Sequence, residues 1–192
     1  MASSNTYKSG DVESNELYIT PKAGIQALLD LVDPIRDKHF FDPCAGLLDI
    51  ANGFRRAGHD VLTNDLIDYG DMYRTDWKED FLTMDIKKGS HLSQSTVIMN
   101  PPFTLTSEFI DKALSFTDRI LMFNRLTTLE SLKRARKFKS GEWPLKRCNV
   151  FGYRVSCDKG VDREKSANSV AYAVFEFDKQ YKGDPKLGWI VK

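Results

Sequence analysis

His39-Phe40-Phe41-Asp42-Pro43-Cys44-Ala45-Gly46 is the stretch on which the reading of this chain turns. Its first three residues read as a short buried strand, and the small residues that follow read as a tight turn in which glycine frees the backbone. Beyond the turn, Ile50, Phe54 and Ala57 share a helical face that stops at Gly58. Upstream, Thr20 reads as an N-cap with Pro21 at the first helical position, and Ile25, Leu28, Leu29 and Val32 recur at helical spacing as far as Asp33-Pro34. Downstream, Val61-Leu62-Thr63, Phe81-Leu82, Thr96–Met99 and Arg119–Phe123 read as strands. Ser107–Phe116 reads as a helix that turns Phe109, Ile110, Ala113 and Leu114 inward. Strand and helix alternate, which predicts an α/β fold with a doubly wound, mostly parallel sheet and ligands at the carboxyl ends of its strands. Cys148–Val155 and Ser169–Phe177 have no long helical pattern between them and read as an antiparallel C-terminal strand pair on one sheet edge.

With 192 residues, 41% hydrophobic and 29% charged, the chain suits one domain with one sizeable core. Residues 1–16 are polar and aperiodic, a flexible N-terminal arm, so the single domain is expected over 17–192. No apolar run approaches the roughly 20 residues that span a bilayer, and the start lacks the pattern of a signal peptide. The expectation is a cytoplasmic protein without membrane contact. Cys44, Cys148 and Cys157 have neither Cys-x-x-Cys nor metal-ligand spacing, and His39, His59 and His91 share none either. A disulfide framework and a metal site are therefore not expected.

The formal charge of +1 is unevenly distributed. Residues 119–165 hold thirteen Lys/Arg against five Asp/Glu, whereas the remainder holds fifteen against twenty-two. The densest part is Lys133, Arg134, Arg136, Lys137, Lys139, Lys146 and Arg147. Such a segment on a near-neutral chain points to localised contact with a polyanion, and otherwise to a solvated helix face.

The turn Asp42–Gly46 stands where a nucleotide-like ligand meets such a sheet, its small residues allowing close backbone approach. The second strand ends in Asn64-Asp65, where a carboxylate can accept both hydroxyls of a ribose. Asp80-Phe81 adds an acceptor for an adenine amine and an aromatic to pack on the ring. Three carboxylates without a phosphate cradle disfavour ATP and favour a cationic adenosine compound such as S-adenosylmethionine.

Asn100-Pro101-Pro102-Phe103 follows the strand Thr96–Met99. An aromatic amine is a poor nucleophile because its lone pair is delocalised, so a catalyst must accept hydrogen bonds from the NH2 group. The Asn100 side-chain oxygen and the Pro101 carbonyl are acceptors, the two prolines are rigid, and Phe103 offers a face for stacking. The bland alternative is a rigid strand end.

Together these residues resemble the class I S-adenosylmethionine-dependent methyltransferases, and within them the small phage-type adenine-N6 DNA methyltransferases. The resemblance runs from about Tyr18 to Ile190. Tyr18-Ile19-Thr20-Pro21 is similar to the helix start that holds the cofactor's methionine carboxylate. Asp42-Pro43-Cys44-Ala45-Gly46 resembles the cofactor loop, Asp65 the ribose-binding acid, Asp80-Phe81 the adenine pocket and Asn100–Phe103 the catalytic tetrapeptide. The resemblance implies a seven-stranded Rossmann-like sheet and S-adenosylmethionine as cofactor. It further implies base flipping in DNA, with Thr20, Pro21, Asp42, Cys44, Ala45, Gly46, Asp65, Asp80 and Phe81 around the cofactor. With no separate recognition domain, relaxed or short specificity is expected, and a homodimer spanning the target is compatible with it. RNA base-amine methyltransferases share the tetrapeptide, and a catalytically silent DNA- or partner-binding relative is the remaining alternative.

One departure stands out: the family places glycine two residues after Gly46, where this chain has Leu48. The leucine either obstructs the methionine moiety or forces a positive φ at a cost on the order of 1 kcal/mol.

Overall fold

The computed structural model describes residues 16–165 and 170–192. Residues 1–15 of the expected arm, and Ser169 at the start of the second C-terminal run, lie outside the described residues. The strands are β1 (Tyr18–Ile19), β2 (Phe40–Asp42), β3 (Val61–Thr63), β4 (Thr96–Met99), β5 (Arg119–Arg125), β6 (Leu145–Phe151), β7 (Asp158–Lys159), β8 (Glu164–Lys165), β9 (Tyr172–Asp178) and β10 (Lys186–Ile190). The helices are α1 (Lys22–Leu29), α2 (Asp49–Arg56), α3 (His91–Gln94), α4 (Thr106–Phe116) and α5 (Leu132–Ser140).

Seven strands form one sheet in the order β10-β6-β9-β5-β4-β2-β3. β3, β2, β4 and β5 run parallel, β9 is antiparallel to both β5 and β6, and β10 is parallel to β6. Because side chains alternate across a strand, the sheet feeds two apolar layers. Phe40, Ile98, Leu121, Phe123 and Val174 pack with Ile25 and Leu28 of α1 and Phe54 of α2. On the other face, Phe41, Val97, Met99, Ile120, Met122 and Phe175 meet Phe109, Ile110 and Ala113 of α4. α4 thus buries the face read from its periodicity. β1, β7 and β8 form a separate small sheet, and Tyr18 of β1 packs against the first of these layers.

Four local expectations are corrected. Phe81-Leu82 is a turn rather than a strand: the Asp80 side chain accepts the Leu82 N–H (2.9 Å), and its carbonyl accepts those of Thr83 and Met84. Trp77 instead forms an isolated parallel bridge with Asn64 at the end of β3. The C-terminal pair β6/β9 is antiparallel as expected but internal, because β10 lies outside β6. Thr20 does not cap α1, which begins at Lys22 after an extended Pro21 (φ −69°, ψ 156°); its hydroxyl serves Asn100 instead. Glu16, assigned to the arm, is fixed by accepting the Phe103 N–H at 2.8 Å.

A buried ionic cluster joins the amino end of β5 to the turn after α1. Arg119 contacts Asp37 at 2.9 Å, pairs closely with Glu176 and donates to the Leu31 carbonyl. Arg36 reaches Asp178 at 2.6 Å, and with Lys146 nearby it holds the Asp178 carboxyl down at about 2 against the opposing effect of burial. Among the described residues no helix is long and apolar enough to cross a membrane.

Candidate active site

The carboxyl ends of β2, β3 and β4 open onto a cavity of about 630 Å³. Each strand delivers one polar residue just past its end or at it: Asp42, Asp65 and Asn100. Thr20, Cys44, Ala45, Gly46, Asp80, Phe81 and Pro102 line the same space. Ten of the thirteen residues read as catalytic or cofactor-binding therefore converge, while Pro21, Pro101 and Phe103 stand outside the lining.

The loop after β2 is held by a backbone network. The Asp42 carboxylate accepts the Cys44 N–H (3.3 Å), the Asn64 carbonyl accepts the Ala45 N–H (3.0 Å), and the Asp65 carboxylate accepts the Gly46 N–H (2.7 Å). Gly46 has φ +51°, a conformation that glycine adopts without strain, and a Cβ there would press on the Leu17 side chain at 3.0 Å. Asn64 is fully buried and stitches two loops together. Its amide donates to the carbonyls of Pro43 (3.1 Å) and Glu79 (2.9 Å), and its oxygen accepts the Glu79 N–H (3.0 Å). The sequence reading gave this residue no role; an Asn beside the acidic strand end was the only signal.

Leu48 does adopt a left-handed conformation (φ 61°, ψ 21°) at the start of α2. Its side chain is buried in the core with Ile25, Ile50 and Phe54, and it does not line the cavity. Obstruction is thus excluded and backbone strain is what remains. The neighbouring Asp49 is paired with Arg163 at 3.1 Å.

Burial pushes the Asp42 carboxyl up to about 8, and the nearby Asp65 carboxylate adds to the shift. Asp65 is raised too, by burial first, against hydrogen bonds from Ile67, Gly46 and Leu66 backbone N–H groups. Burial likewise raises the Cys44 thiol well above its usual range, with repulsion from Asp42 and Asp65 and an opposing hydrogen bond from the Asn100 backbone. A thiol held protonated is no nucleophile. Two shielded carboxyl groups in one cavity make a site that gains from taking up a cation.

At the far wall the Asn100 amide nitrogen donates to the Tyr18 carbonyl and to the Thr20 hydroxyl, each at 3.0 Å. Its side-chain oxygen is buried and has no hydrogen-bond partner in the protein. The carbonyl can only accept, so the amide orientation is fixed with the oxygen left over. Tyr18 and Glu16, absent from the sequence-derived site, position this corner together: Glu16 holds the Phe103 N–H, and the Tyr18 ring packs on Phe103 at 4.8 Å. The Arg125 guanidinium lies 3.9 Å from the centre of the Phe103 ring. Phe103 therefore does not present a free face as the sequence reading expected.

The basic residues divide. Lys137 bonds Asp111 and Glu142, Lys146 reaches Glu176 at 2.8 Å, Arg147 lies 3.6 Å from Glu176, and Arg134 donates to Ser107 and Thr127. These four have structural partners, whereas Lys133, Arg136 and Lys139 project from the exposed side of α5. Tyr69 also lines the cavity, and Trp77 packs edge-on against Phe41.

No protein-family model and no curated protein matches the chain. Solved structures do match in fold. A candidate RNA methyltransferase from Pyrococcus horikoshii aligns with TM-score 0.61 at 16% identity, over 85% of this chain and 86% of that one. A candidate class I S-adenosylmethionine-dependent methyltransferase from Listeria monocytogenes gives 0.61 at 13% identity, over 91% of this chain and 66% of that one. The 23S rRNA methyltransferase ErmE gives 0.57 at 13% identity, over 88% and 71%. The chain shares the fold of these methyltransferase structures.

Proposed function

We propose that this chain transfers a methyl group from S-adenosylmethionine to the N6 amine of adenine in DNA. The observation that carries the reading is the buried, unpartnered oxygen of Asn100, a residue that lines the cavity together with Asp42, Asp65 and Asp80. A buried acceptor without a partner is costly, by about 1–3 kcal/mol, and a donor that enters the site relieves that cost. An exocyclic NH2 is such a donor.

The residues present suit the cofactor. Asp65 accepts the Gly46, Ile67 and Leu66 N–H groups on its two oxygens, which leaves capacity for a ribose hydroxyl. Asp80 with Phe81 suits the adenine ring, and Asp42 favours a positive charge. When bound, S-adenosylmethionine supplies an electrophilic methyl group on a sulfonium. Asn100, held by Tyr18 and Thr20, would accept from the amine and turn its lone pair toward the methyl; the Pro101 carbonyl, which is outside the cavity lining, would have to turn toward the amine to be the second acceptor. With the cofactor bound, the N–C bond would form as the methyl–sulfur bond breaks, the neutral thioether leaving with the electron pair and the amine's proton passing to solvent; no protein side chain is modified. Approach in line supplies much of the acceleration. A duplex base must leave its stack, at a cost of a few kcal/mol, and Lys133, Arg136 and Lys139 are placed to bind the backbone. Stacking of that base on Phe103 requires Arg125 to leave the ring. Specificity is expected to be short.

The second reading is an RNA base amine, favoured by the names of the Pyrococcus protein and of ErmE. The placement of the Leu48 side chain in the core speaks against a silent fold. Asn100→Ala tests the proposal: turnover is expected to fall by on the order of 10²–10³-fold while calorimetric affinity for S-adenosylmethionine is retained. Retained turnover would contradict it.

A further inference from the structure

The outer edge of β10 carries an interaction surface. No strand among the described residues lies beyond it. Its inner edge is paired in parallel with β6, with Trp189 beside Val150. The Ile190 carbonyl accepts the Gly152 N–H at 2.9 Å. Backbone groups alternate along a strand, so those of Lys186, Gly188 and Ile190 face β6 while those of Leu187 and Trp189 face outward. Leu187, Trp189 and Val191, at alternate positions and so on one face, are 59%, 65% and 77% exposed. An unpaired edge carrying exposed apolar side chains is a template for another strand.

We propose that β10 pairs antiparallel with β10 of a second copy, about a two-fold axis through Gly188. This register sets Leu187 opposite Trp189 of the second copy, and Trp189 opposite its Leu187. Both are outward-facing residues, so each pair exchanges two backbone hydrogen bonds, and the four side chains adjoin on one face. Gly188 meets its own symmetry mate at the close, non-hydrogen-bonded position, where Cα atoms approach to about 4.5 Å. A Cβ on Gly188 would fall 2.3 Å from the Asn149 side-chain oxygen, so any larger residue there would make that side chain shift.

The same register places Asp184 opposite Lys192 of the second copy, and Lys192 opposite its Asp184. Self-pairing thus joins opposite charges at both ends, as an isologous interface requires. Pro185, facing Val191, has no N–H to give and ends the ladder. This charge match argues for a second copy over an unrelated strand.

The geometry has a consequence for the active site. Antiparallel pairing reverses strand direction between copies, so the two cavities lie at opposite ends of the joined sheet. Such a dimer does not set both sites on one short target, in contrast to the target-spanning dimer that the sequence allowed. The pairing stands independently of the methyl-transfer reading.

Sedimentation velocity of the full chain across a dilution series tests the proposal. A dimer is expected for the parent, and a monomer for Trp189→Asp at the same concentrations, with the circular dichroism spectrum unchanged because the side chain is exposed. Asp184→Lys should weaken dimerisation, and adding Lys192→Asp should restore it. A parent that stays monomeric throughout, or a Trp189→Asp variant that dimerises as the parent does, would overturn the interface; failure of the charge swap to restore would overturn the register.

Discussion

Replacing Asp42 by Asn should make this chain more stable, by an amount that grows with pH. The Asp42 side chain lies at the end of β2, is 1% exposed, and has its carboxyl raised to about 8 by burial, with Asp65 adding to the shift. In the unfolded chain the same group titrates near about 4. Between those values the folded chain keeps a proton that the unfolded chain releases, so stability is highest below about pH 4 and falls as pH rises toward 8. One proton corresponds to about 1.4 kcal/mol per pH unit, and the whole span to a ceiling on the order of 5 kcal/mol. Asn has the same shape, still offers an oxygen to the Cys44 N–H, and has no proton to release. Urea unfolding of both proteins at steps between about pH 5 and pH 8 measures the difference. The advantage of Asp42→Asn should widen by about 1 kcal/mol or more per pH unit and level off above about 8. An advantage that stays constant through that window would refute the reasoning, since it would mean that Asp42 is already ionised in the folded chain at neutral pH. The same linkage predicts that a cationic ligand binds the parent more tightly as pH rises through about 8, and that Asp42→Asn removes this dependence.

Two further substitutions test the packing that supports the site. Arg119→Ala should cost about 3–5 kcal/mol in denaturant unfolding, because it strips Glu176 and Asp37 of their shared buried cation; a loss below about 1 kcal/mol would mean that Lys146 and Arg36 suffice. Gly53→Ala should destabilise by about 1–3 kcal/mol despite the better helix propensity of alanine, since the new Cβ would lie 2.3 Å from Ile25 Cγ2. In an Ile25→Ala background that penalty should vanish.

The parts of the fold legible in the sequence were those where one residue pattern answers to one environment. Val61–Thr63 and Thr96–Met99 are strands with the bounds that their apolar runs suggest, and α4 buries the stripe its periodicity marks. β10 was missed although Trp189-Ile190-Val191 is a short apolar run, because glycine sits at the strand's centre and its exposed face is itself apolar, so no polar alternation marks it. Phe81-Leu82 reads as a strand by its side chains, yet Asp80 bends the backbone through a local hydrogen bond. At the site, strand ends gathered Asp42, Asp65 and Asn100 as the alternation implied. The environments of Thr20 and Phe103 depend on Asn100 and Arg125, about 80 and 20 positions away along the chain. No local pattern reports such contacts, and none announced that Lys137, Lys146 and Arg147 would face acidic partners.

The measurement that tests the central claim most directly is nucleoside analysis after incubation with methyl-labelled S-adenosylmethionine and either DNA or RNA. The account predicts label in N6-methyladenine from DNA, absent from RNA and lost with Asn100→Ala. Label confined to RNA, or found in neither nucleic acid, would contradict it.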